Sequence, residues 1–301
     1  MKELERVARL VSGLSELEFK VLENVEKLAD QGRVSTPDLI SKSLRLSVDY
    51  VAKVLEKLNG HGLVWSPAGR GREYMLNYKG LDLLALHSAS RRGILTHIGT
   101  KIGVGKEADV HLGLTGEGTP IAVRFYRIGR QSMVRHKRLR ETSLEAANYL
   151  ASSKAAAKRE IEALRILYQR GVPVPAPIYR NRHMVVTSLI EGDELARLRK
   201  HPEPEVLLRE ILGSVRAAMN AGVIHCDLSP YNILLTEDGR HVIIDWPQWV
   251  KPTHPNADAY LRRDVANLVS FFKRKLGVRV DMDELLEFVL KDGGLGLASQ
   301  V

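Results

Sequence analysis

The sequence predicts an α+β protein in which an N-terminal winged helix-turn-helix precedes a truncated domain of two lobes. Three observations predict this organisation. Three short helical patterns run into a basic, glycine-rich hairpin, three strand patterns with glycine-containing turns follow, and an Asp/Asn/Asp set lies beside apolar segments further on. We place the winged helix in residues 1–90, the first lobe in residues 91–186 and the second lobe in residues 187–301.

The composition indicates a folded protein of about two domains. The chain has 301 residues, of which 44% are hydrophobic and 27% are charged. Its net charge of +9 at pH 7 is compatible with a polyanionic partner and equally with a generally basic soluble protein. The single cysteine, Cys226, excludes an intrachain disulfide and fits a reducing compartment. We expect no secretory signal and no membrane contact, because charges interrupt every apolar run before it reaches roughly 18 residues.

Three helix starts define the N-terminal part. A capping box begins at Ser15, where Glu18 stands three residues later, and the helix it opens runs to Gly32. Thr36 followed by proline predicts a helix over residues 37–43, and Ser47 opens a third helix that ends near Asn59.

A hairpin and a connecting helix complete this part. Strand patterns at residues 63–65 and 73–77 flank a glycine-rich tip that contains Arg70 and Arg72. A helix over residues 79–90 follows. Three helices and a basic wing are typical of nucleic-acid readers, in which the third helix enters a groove and wing arginines lie near phosphates. Winged helices also serve as protein-docking modules, so the fold alone leaves both functions open.

The next segment predicts a phosphate-binding turn between strands. Strand patterns cover residues 97–102, 110–114 and 121–126. The first turn contains Gly103, Val104, Gly105 and Lys106. Glycines let backbone amides approach phosphate oxygens closely, and a lysine adds charge. A lone Gly-x-Gly occurs in many hairpins and is weak evidence for phosphate binding by itself. Its position before the Asp/Asn/Asp set is what supports that function.

Two charged residues are candidates for phosphate binding and for its support. Arg124 lies on the third strand, where a kinase carries a lysine, and arginine is longer, planar and forked. Glu160 lies on a long predicted helix over residues 144–170, and a glutamate on that helix pairs with the third-strand cation in kinases. From helix position alone, an ordinary surface glutamate is the favoured alternative.

A run of basic residues follows Arg124 without an acidic residue before Glu141. Its members are Arg127, Arg130, Arg135, Lys137, Arg138 and Arg140. The run predicts a basic arm for RNA or a loop with a phosphorylation site such as Ser132. A solvated surface loop is the alternative.

A strand pattern over residues 182–191 predicts the connection between the lobes. Backbone groups of Ser188 to Ile190 are candidates to bind adenine, with Thr187 at the inner wall of the pocket.

The Asp/Asn/Asp set carries the functional prediction. Asn232 follows Asp227 by five residues, and Asp245 ends an apolar strand pattern. Phosphoryl-transfer enzymes of the protein-kinase type hold a catalytic base and magnesium with residues in this order and spacing. The first aspartate accepts a proton, and the other two side chains supply the hard oxygen ligands that magnesium prefers. Each residue alone would be read as a cap or a turn residue.

Neighbouring residues have mainly structural interpretations. We expect His225 to be a hydrogen-bonding residue beneath the loop, and Cys226, Trp246 and Trp249 to pack in the core. Asp264 is either a brace for the catalytic loop or a surface carboxylate, and the sequence favours neither.

Six motifs together resemble the RIO family of atypical protein kinases, and the resemblance covers residues 1–290. They read IGTKIGVGKEADVH, GVPVPAPI, VVTSLIEG, HCDLSPYNILL, IIDWPQWV and HPNADAYLRRDV. The winged helix and the last motif point to the second subfamily, the Rio-two type.

The resemblance implies a two-lobed kinase-like fold that binds ATP and magnesium. It implies Asp227 as the catalytic base, Asn232 and Asp245 as metal ligands, and an aspartyl-phosphate on Asp245 in an ATPase cycle. It also implies a cytoplasmic role in maturation of the small ribosomal subunit, with its precursor and rRNA as partners.

The sequence departs from the family pattern at two places. Arg124 replaces the lysine, and the lobe connection reads Thr-Ser-Leu-Ile where Met-Glu-Leu-Ile is expected. The stretch after Asp245 is short and has no Ala-Pro-Glu motif, so we expect it to lack the peptide-substrate platform of other kinases. The leading hypothesis is a RIO-type serine/threonine kinase or ATPase. A nucleotide-bound rRNA-binding scaffold is the first alternative, and a DNA-binding regulator is the second.

Overall fold

The computed structural model of the protein describes residues 3–66, 72–105, 107–129 and 143–291. Contacts divide the chain into two compact units. The first unit comprises Met1–Lys158 with Tyr179–Val186, and the second comprises Arg159–Ile178 with Thr187–Val301. The predictions for Arg70, Lys106, Ser132 and the basic residues beyond Arg127 lie outside the described residues.

The N-terminal part of the first unit is a winged helix, as predicted. Its helices are α1 (Glu3–Arg9), α2 (Glu16–Asp30), α3 (Pro37–Leu44), α4 (Val48–Gly60) and α5 (Tyr78–Arg91). Its antiparallel hairpin pairs β1 (Val64–Trp65) with β2 (Met75–Leu76).

Local capping places these helices. The Ser15 hydroxyl accepts the Glu18 N–H at 3.3 Å, and the Glu18 carboxylate accepts the Ser15 N–H at 2.8 Å, which completes the predicted capping box. Thr36 and Ser47 cap α3 and α4 in the same way, each accepting the N–H three residues on. The predicted helix starts are therefore confirmed to the residue.

A five-stranded sheet follows the winged helix. Its strands are β3 (His97–Val104), β4 (Ala108–Leu114), β5 (Pro120–Tyr126), β6 (Pro177–Asn181) and β7 (Met184–Ser188), in the order β3-β4-β5-β7-β6. Strand β6 was not predicted. The strand expected over residues 182–191 is shorter, because Arg182 adopts a φ of 53° in the turn between β6 and β7.

The winged helix and the sheet share one hydrophobic core. Leu83 and Leu86 of α5 belong to the same buried cluster as Val123 and Phe125 of β5. Arg127, directly after β5, is also buried, and it is 9% exposed. The interpretation of Arg127 as part of a basic arm was therefore wrong, because its guanidinium is paired inside the unit.

The second unit is mostly helical. Its elements are the C-terminal part of α6 (Ser143–Gln169), β8 (Asp193–Glu194), α7 (Pro204–Asn220), β9 (Ile233–Leu235), β10 (His241–Ile243), α8 (Ala257–Leu276) and α9 (Met282–Leu290). The three short strands form an antiparallel sheet in the order β10-β9-β8. The boundary between units falls within α6, and the lobe boundaries placed from the sequence stay predictions. Across the described residues, no helix is long and apolar enough to cross a membrane.

Candidate active site

The catalytic-loop motif joins the core of the second unit to β9. It begins after Ile224, which pairs with Val250 in an antiparallel bridge, and it ends in a single 3-10 turn, Pro230–Asn232. Leu228 is buried within the loop, whereas Asp227 is exposed. The loop therefore buries its apolar anchor and presents its carboxylate to solvent.

Asp264 of α8 braces this loop from below. Its two carboxylate oxygens accept the backbone N–H groups of Cys226 at 2.8 Å and Leu228 at 3.0 Å. Asn267 donates to the Leu228 carbonyl at 3.1 Å, and Arg263 donates to the Cys226 carbonyl. Asp264 is 1% exposed, so of the two interpretations left open by the sequence, the structure supports the brace.

Burial perturbs the two groups at the base of the loop. It raises the pKa of Asp264 to about 6, against the opposing effect of the two N–H donors. It also raises the pKa of the Cys226 thiol to about 11, and the neighbouring Asp264 charge adds to this shift. Cys226 is therefore an uncharged, buried thiol, as the sequence analysis expected.

Hydrogen bonds connect Asn232 to the residues on both sides of the candidate site. Its side-chain amide Nδ2 donates to the Asp227 carbonyl at 2.9 Å, which leaves Oδ1 as the atom available for a ligand. Its backbone carbonyl accepts the N–H of Ile244 at 2.9 Å. Asp245 follows Ile244, so the two polar segments of the motif are joined directly.

Asp245 lies in a backbone conformation that the surrounding residues must maintain. Its φ is 71°, in the left-handed region that non-glycine residues rarely occupy. The N–H of the following residue, Trp246, donates to the Glu160 carboxylate at 2.6 Å. Glu160 is 3% exposed, which rules out the surface-glutamate alternative. The bond to Trp246 was not predictable from the sequence, because the two residues are 86 positions apart.

His225 has the structural role that the sequence suggested. Its Nδ1 accepts the Asp227 N–H at 3.3 Å, and its Nε2 donates to the Ile244 carbonyl at 3.1 Å. Its ring lies 4.5 Å from that of Trp246, centroid to centroid. Burial lowers the pKa of His225, although the carboxylates of Asp227 and Asp245 oppose the shift. A neutral imidazole thus connects the loop to the strand that precedes Asp245.

The first unit carries the predicted phosphate-binding residues. Gly103 pairs with Val110 across β3 and β4, and the N–H of Gly105 donates to the Ala108 carbonyl at 2.8 Å, which closes the turn. Val104 continues β3 between the two glycines. Arg124 lies on β5 and is half-buried. The described part of this turn is thus a tight hairpin end beside a strand that carries a cation.

The C-terminal end of β7 has one backbone donor already in use. The Ser188 N–H donates to the Ala176 carbonyl at 3.0 Å, and the Ser188 hydroxyl accepts the Ala176 N–H at 2.9 Å. The Thr187 hydroxyl donates to the Ser188 carbonyl at 3.2 Å. An adenine contact at Ser188 would therefore involve the second lone pair of its carbonyl oxygen, and Ile190 supplies the next backbone groups along the chain.

The donor set fits magnesium better than a transition metal. Asn232 and Asp245 offer one amide oxygen and one carboxylate, which are hard ligands, and magnesium is commonly held by one or two carboxylates with substrate phosphates completing its coordination. Within the described ranges, no cluster of three or more His, Cys, Asp or Glu side chains is arranged as a metal site. Asn232 and Asp245 alone are too few ligands for an all-protein cage, so they suit a cation that arrives with a phosphorylated ligand.

A hairpin-bearing sheet in one unit and a braced Asp/Asn/Asp loop in the other define a protein of the protein-kinase-like class. Family comparisons agree with this class. A model of the RIO domain matches residues 109–285, and a model of the Rio2 N-terminal domain matches residues 11–92. The chain belongs to the RIO family of serine/threonine-protein kinases and, within it, to the winged-helix-bearing Rio2 type.

Individual relatives support this assignment. The RIO-type serine/threonine-protein kinase Rio2 of Methanocaldococcus jannaschii is 37% identical over 266 residues, which cover 84% of this chain and 97% of the relative. The serine/threonine-protein kinase RIO2 of Saccharomyces cerevisiae is 37% identical over 212 residues, covering 67% of this chain. The matched part is 50% of the yeast protein, so this chain spans about half of that relative.

Solved structures give the same fold. The Rio2 kinase of Chaetomium thermophilum in complex with ADP, Mg²⁺ and phosphoaspartate matches with a TM-score of 0.82 and 30% identity. The match covers 95% of this chain and 89% of that one. The predictions of fold and family are thereby confirmed.

Proposed function

We propose that this protein binds ATP with magnesium and transfers the terminal phosphoryl group, with Asp227 as the catalytic base. The observation that carries the proposal is the bonded connection from Asp227 through Asn232 to Ile244, the residue before Asp245. It places three oxygen-bearing side chains on two segments that share hydrogen bonds. The ADP and Mg²⁺ complex of the Chaetomium thermophilum relative supports the same cofactors here.

Asn232, through Oδ1, and Asp245, through its carboxylate, would hold the magnesium. The ion supplies charge neutralisation for the phosphate oxygens when it is bound. Asp227 is exposed, and its backbone is fixed by His225 and by the brace beneath the loop. Its carboxylate is therefore positioned to orient an acceptor hydroxyl, or a water molecule, and to accept its proton.

The remaining predicted contacts divide into phosphate and adenine groups. We assign the phosphates to Gly103, Val104, Gly105, Lys106 and Arg124, and adenine to Thr187, Ser188 and Ile190. Glu160 accepts the Trp246 N–H, and we propose that it supports the site through this bond. As in kinases, we also expect it to pair with Arg124. Since arginine keeps the positive charge of a lysine but changes its geometry, we expect slow rather than absent phosphoryl transfer.

We further propose that Asp245 itself accepts a phosphoryl group. A carboxylate oxygen of Asp245 would attack the γ-phosphorus of ATP, the bond to the β-phosphate oxygen would break, and ADP would leave. Water would then hydrolyse the acyl phosphate and regenerate the carboxylate with release of inorganic phosphate. Support comes from the phosphoaspartate in the Chaetomium thermophilum relative.

The setting that we propose is cytoplasmic maturation of the small ribosomal subunit, with the precursor particle and its rRNA as partners. The net charge of +9 and the winged helix support a polyanionic partner. Arg72, at the base of the wing, is exposed, as is Lys53 on α4. Both are free to approach phosphates of a folded RNA.

The activity is tested by measuring ATP turnover in the wild type and in Asp227→Ala and Asp245→Ala. We expect each variant to lose roughly 100-fold or more, because each removes a group that acts on the reacting phosphate. Asp238→Ala is the matched control, since Asp238 is a solvent-exposed carboxylate on the β9–β10 turn. Equal turnover in all four proteins would overturn the proposal.

The RNA partner is tested separately through the wing. Replacing Arg70 and Arg72 by alanine should flatten the dependence of log K on log salt by about 1–2 for structured ribosomal RNA. Arg274→Ala on α8 is the control, since Arg274 is an exposed arginine remote from the wing in sequence. An unchanged slope would remove the wing from the interface, and tighter binding to duplex DNA would favour the DNA-binding alternative.

The scaffold alternative rests on Arg124. If the protein is an enzyme with a weakened phosphate contact, Arg124→Lys should raise ATP turnover several-fold, because the lysine restores the point charge found in kinases. Tight ATP binding with no turnover in either form would instead favour a nucleotide-bound RNA-binding scaffold.

A further inference from the structure

We propose that Arg159 is a positioning residue for Asp245, and that it sets the affinity of the site for its divalent cation. Arg159 does this by holding the chain that immediately follows the aspartate. The inference rests on the proposed role of Asp245 as a metal ligand.

The guanidinium of Arg159 is bonded to two carbonyl groups past Asp245, those of Pro247 and Trp249. Its Nε donates to the Pro247 carbonyl at 2.7 Å, and its Nη2 donates to the Trp249 carbonyl. Its central carbon lies 5.6 Å from the Trp249 ring centroid, within the range of a cation–π contact. The Trp249 indole in turn donates to the Arg159 carbonyl at 2.9 Å. Helix α6 and the segment after Asp245 are therefore joined in both directions.

The turn at Asp245 needs such support. A left-handed conformation is unfavourable at a non-glycine residue, so it persists only where neighbouring contacts impose it. On the entry side, the Ile244 N–H is bonded to Asn232 and its carbonyl to His225. On the exit side, the contacts come from consecutive residues of α6, Glu160 and Arg159.

The chemistry of arginine suits this position. Its planar fork carries donors that point in fixed, diverging directions, so one side chain can satisfy two carbonyls of an irregular segment. A lysine has a single ammonium group and would hold one carbonyl well. An alanine would release both and leave the exit of the turn attached to α6 through the Glu160 carboxylate and the Arg159 backbone carbonyl.

Arg159 is an exposed residue, so its contribution to packing of the core is small and its positioning role can be measured separately. Loss of an exposed side chain changes the free energy of unfolding little compared with loss of a core side chain. A positioning effect would instead appear in metal binding, because small displacements of a ligand change affinity strongly.

The test measures Mn²⁺ binding to the ADP-loaded protein by electron paramagnetic resonance, with Mn²⁺ as the probe for the divalent cation. The variants are Arg159→Ala and Arg159→Lys, with Arg165→Ala as the control. Arg165 is an exposed arginine on the same helix, six residues further on. We expect roughly 10-fold weaker binding for Arg159→Ala, as for other groups that orient a metal ligand, an intermediate value for Arg159→Lys, and no change for Arg165→Ala.

A second readout is independent of metal and nucleotide. Backbone hydrogen exchange of residues 246–250 should be faster in Arg159→Ala than in the wild type or Arg165→Ala, while the rest of the second unit exchanges at the wild-type rate. If Arg159→Ala does not fold, Arg159→Lys decides the question with the same two measurements.

Asp245→Asn separates the inference from the proposed function. If this variant loses Mn²⁺ binding and the Arg159 variants match the wild type in affinity and exchange, the inference is overturned and the proposed function stands. If Asp245→Asn binds Mn²⁺ like the wild type, Asp245 is not a ligand, and the proposed function and the inference both fail.

Discussion

Asp82 and Arg127 face each other through two parallel hydrogen bonds in the interior of the first unit. The two N–O distances are 2.7 and 2.8 Å, and His183 adds a third contact to Asp82 at 2.8 Å. Burial alone would raise the pKa of Asp82, but the Arg127 cation and the His183 bond hold that pKa below its usual range. The carboxylate is therefore charged at neutral pH, and it connects α5 of the winged helix to the end of β5.

We predict that Asp82→Ala destabilises the protein by roughly 3–5 kcal/mol, because it leaves the Arg127 cation buried without a counter-charge. Urea denaturation of the variant and the wild type measures the change. Glu16→Ala is the control. It removes an exposed partner of Arg91, and surface pairs of this kind contribute at most about 1 kcal/mol. Similar losses in the two variants would contradict the prediction.

The Asp264 brace predicts a specific pH dependence of stability. Its pKa is about 6 in the folded protein against 3.8 for an ordinary aspartate, so between these values the folded state binds the extra proton. The stability contributed by this proton is fully present below pH ~4 and is lost as the pH rises through about 6.

The difference in unfolding free energy between the wild type and Asp264→Asn should therefore fall by roughly 2 kcal/mol from pH 4 to pH 6.5. Chemical denaturation at a series of pH values gives this difference, and subtraction removes the groups common to both proteins. A difference that does not vary with pH would show that Asp264 is not the titrating group.

Two variants of Glu160 should distinguish the contribution of its hydrogen bond from the contribution of its charge. Glu160→Gln keeps an oxygen for the Trp246 N–H, whereas Glu160→Ala leaves that buried donor unpaired, which costs about 1–3 kcal/mol. We expect Ala, but not Gln, to lower the free energy of unfolding by this amount.

If Glu160 also fixes Arg124 through its charge, both variants should raise the KM for ATP. The urea midpoint and the steady-state kinetics of the two variants measure these effects independently. A Gln variant as unstable as the Ala variant would show that the hydrogen bond to Trp246 contributes nothing.

The Cys226 thiol should be inert in the native protein. With a pKa of about 11, its thiolate fraction at pH 8 is roughly 100-fold below that of an ordinary cysteine, and the thiol is buried as well. Mass spectrometry after iodoacetamide treatment should find the native protein unmodified and the urea-unfolded protein fully modified at this single cysteine. Rapid labelling of the native protein would contradict the burial of the loop.

Features with local causes were predictable from the sequence. The helix starts at Ser15, Thr36 and Ser47 depend on side chains that bond residues three positions away. Strands β3 to β5 follow one another with short turns, so their alternating patterns sufficed. The order and spacing of Asp227, Asn232 and Asp245 could likewise be recognised, because these residues lie close together in the sequence.

Features with distant causes were not predictable. Arg127 was grouped with the basic residues that follow it, because its partner Asp82 lies 45 positions earlier. Asp264 had equal claims to two roles, since its bonds reach 36 and 38 positions back to Leu228 and Cys226. Strand β6 was missed because it lies beside β7 beyond a turn at Arg182 that local propensity does not favour.

The ion pair between Asp82 and Arg127 also limits how this polypeptide can be divided. A shortened version that starts at β3 would discard the carboxylate and retain the guanidinium, and it would strip α5 from a core that also contains Val123 and Phe125. The N-terminal winged helix is thus not an independently folding domain appended to a self-sufficient kinase domain. Chimaeras that exchange it between relatives should remain soluble only when donor and recipient carry matching acid and base at these two positions.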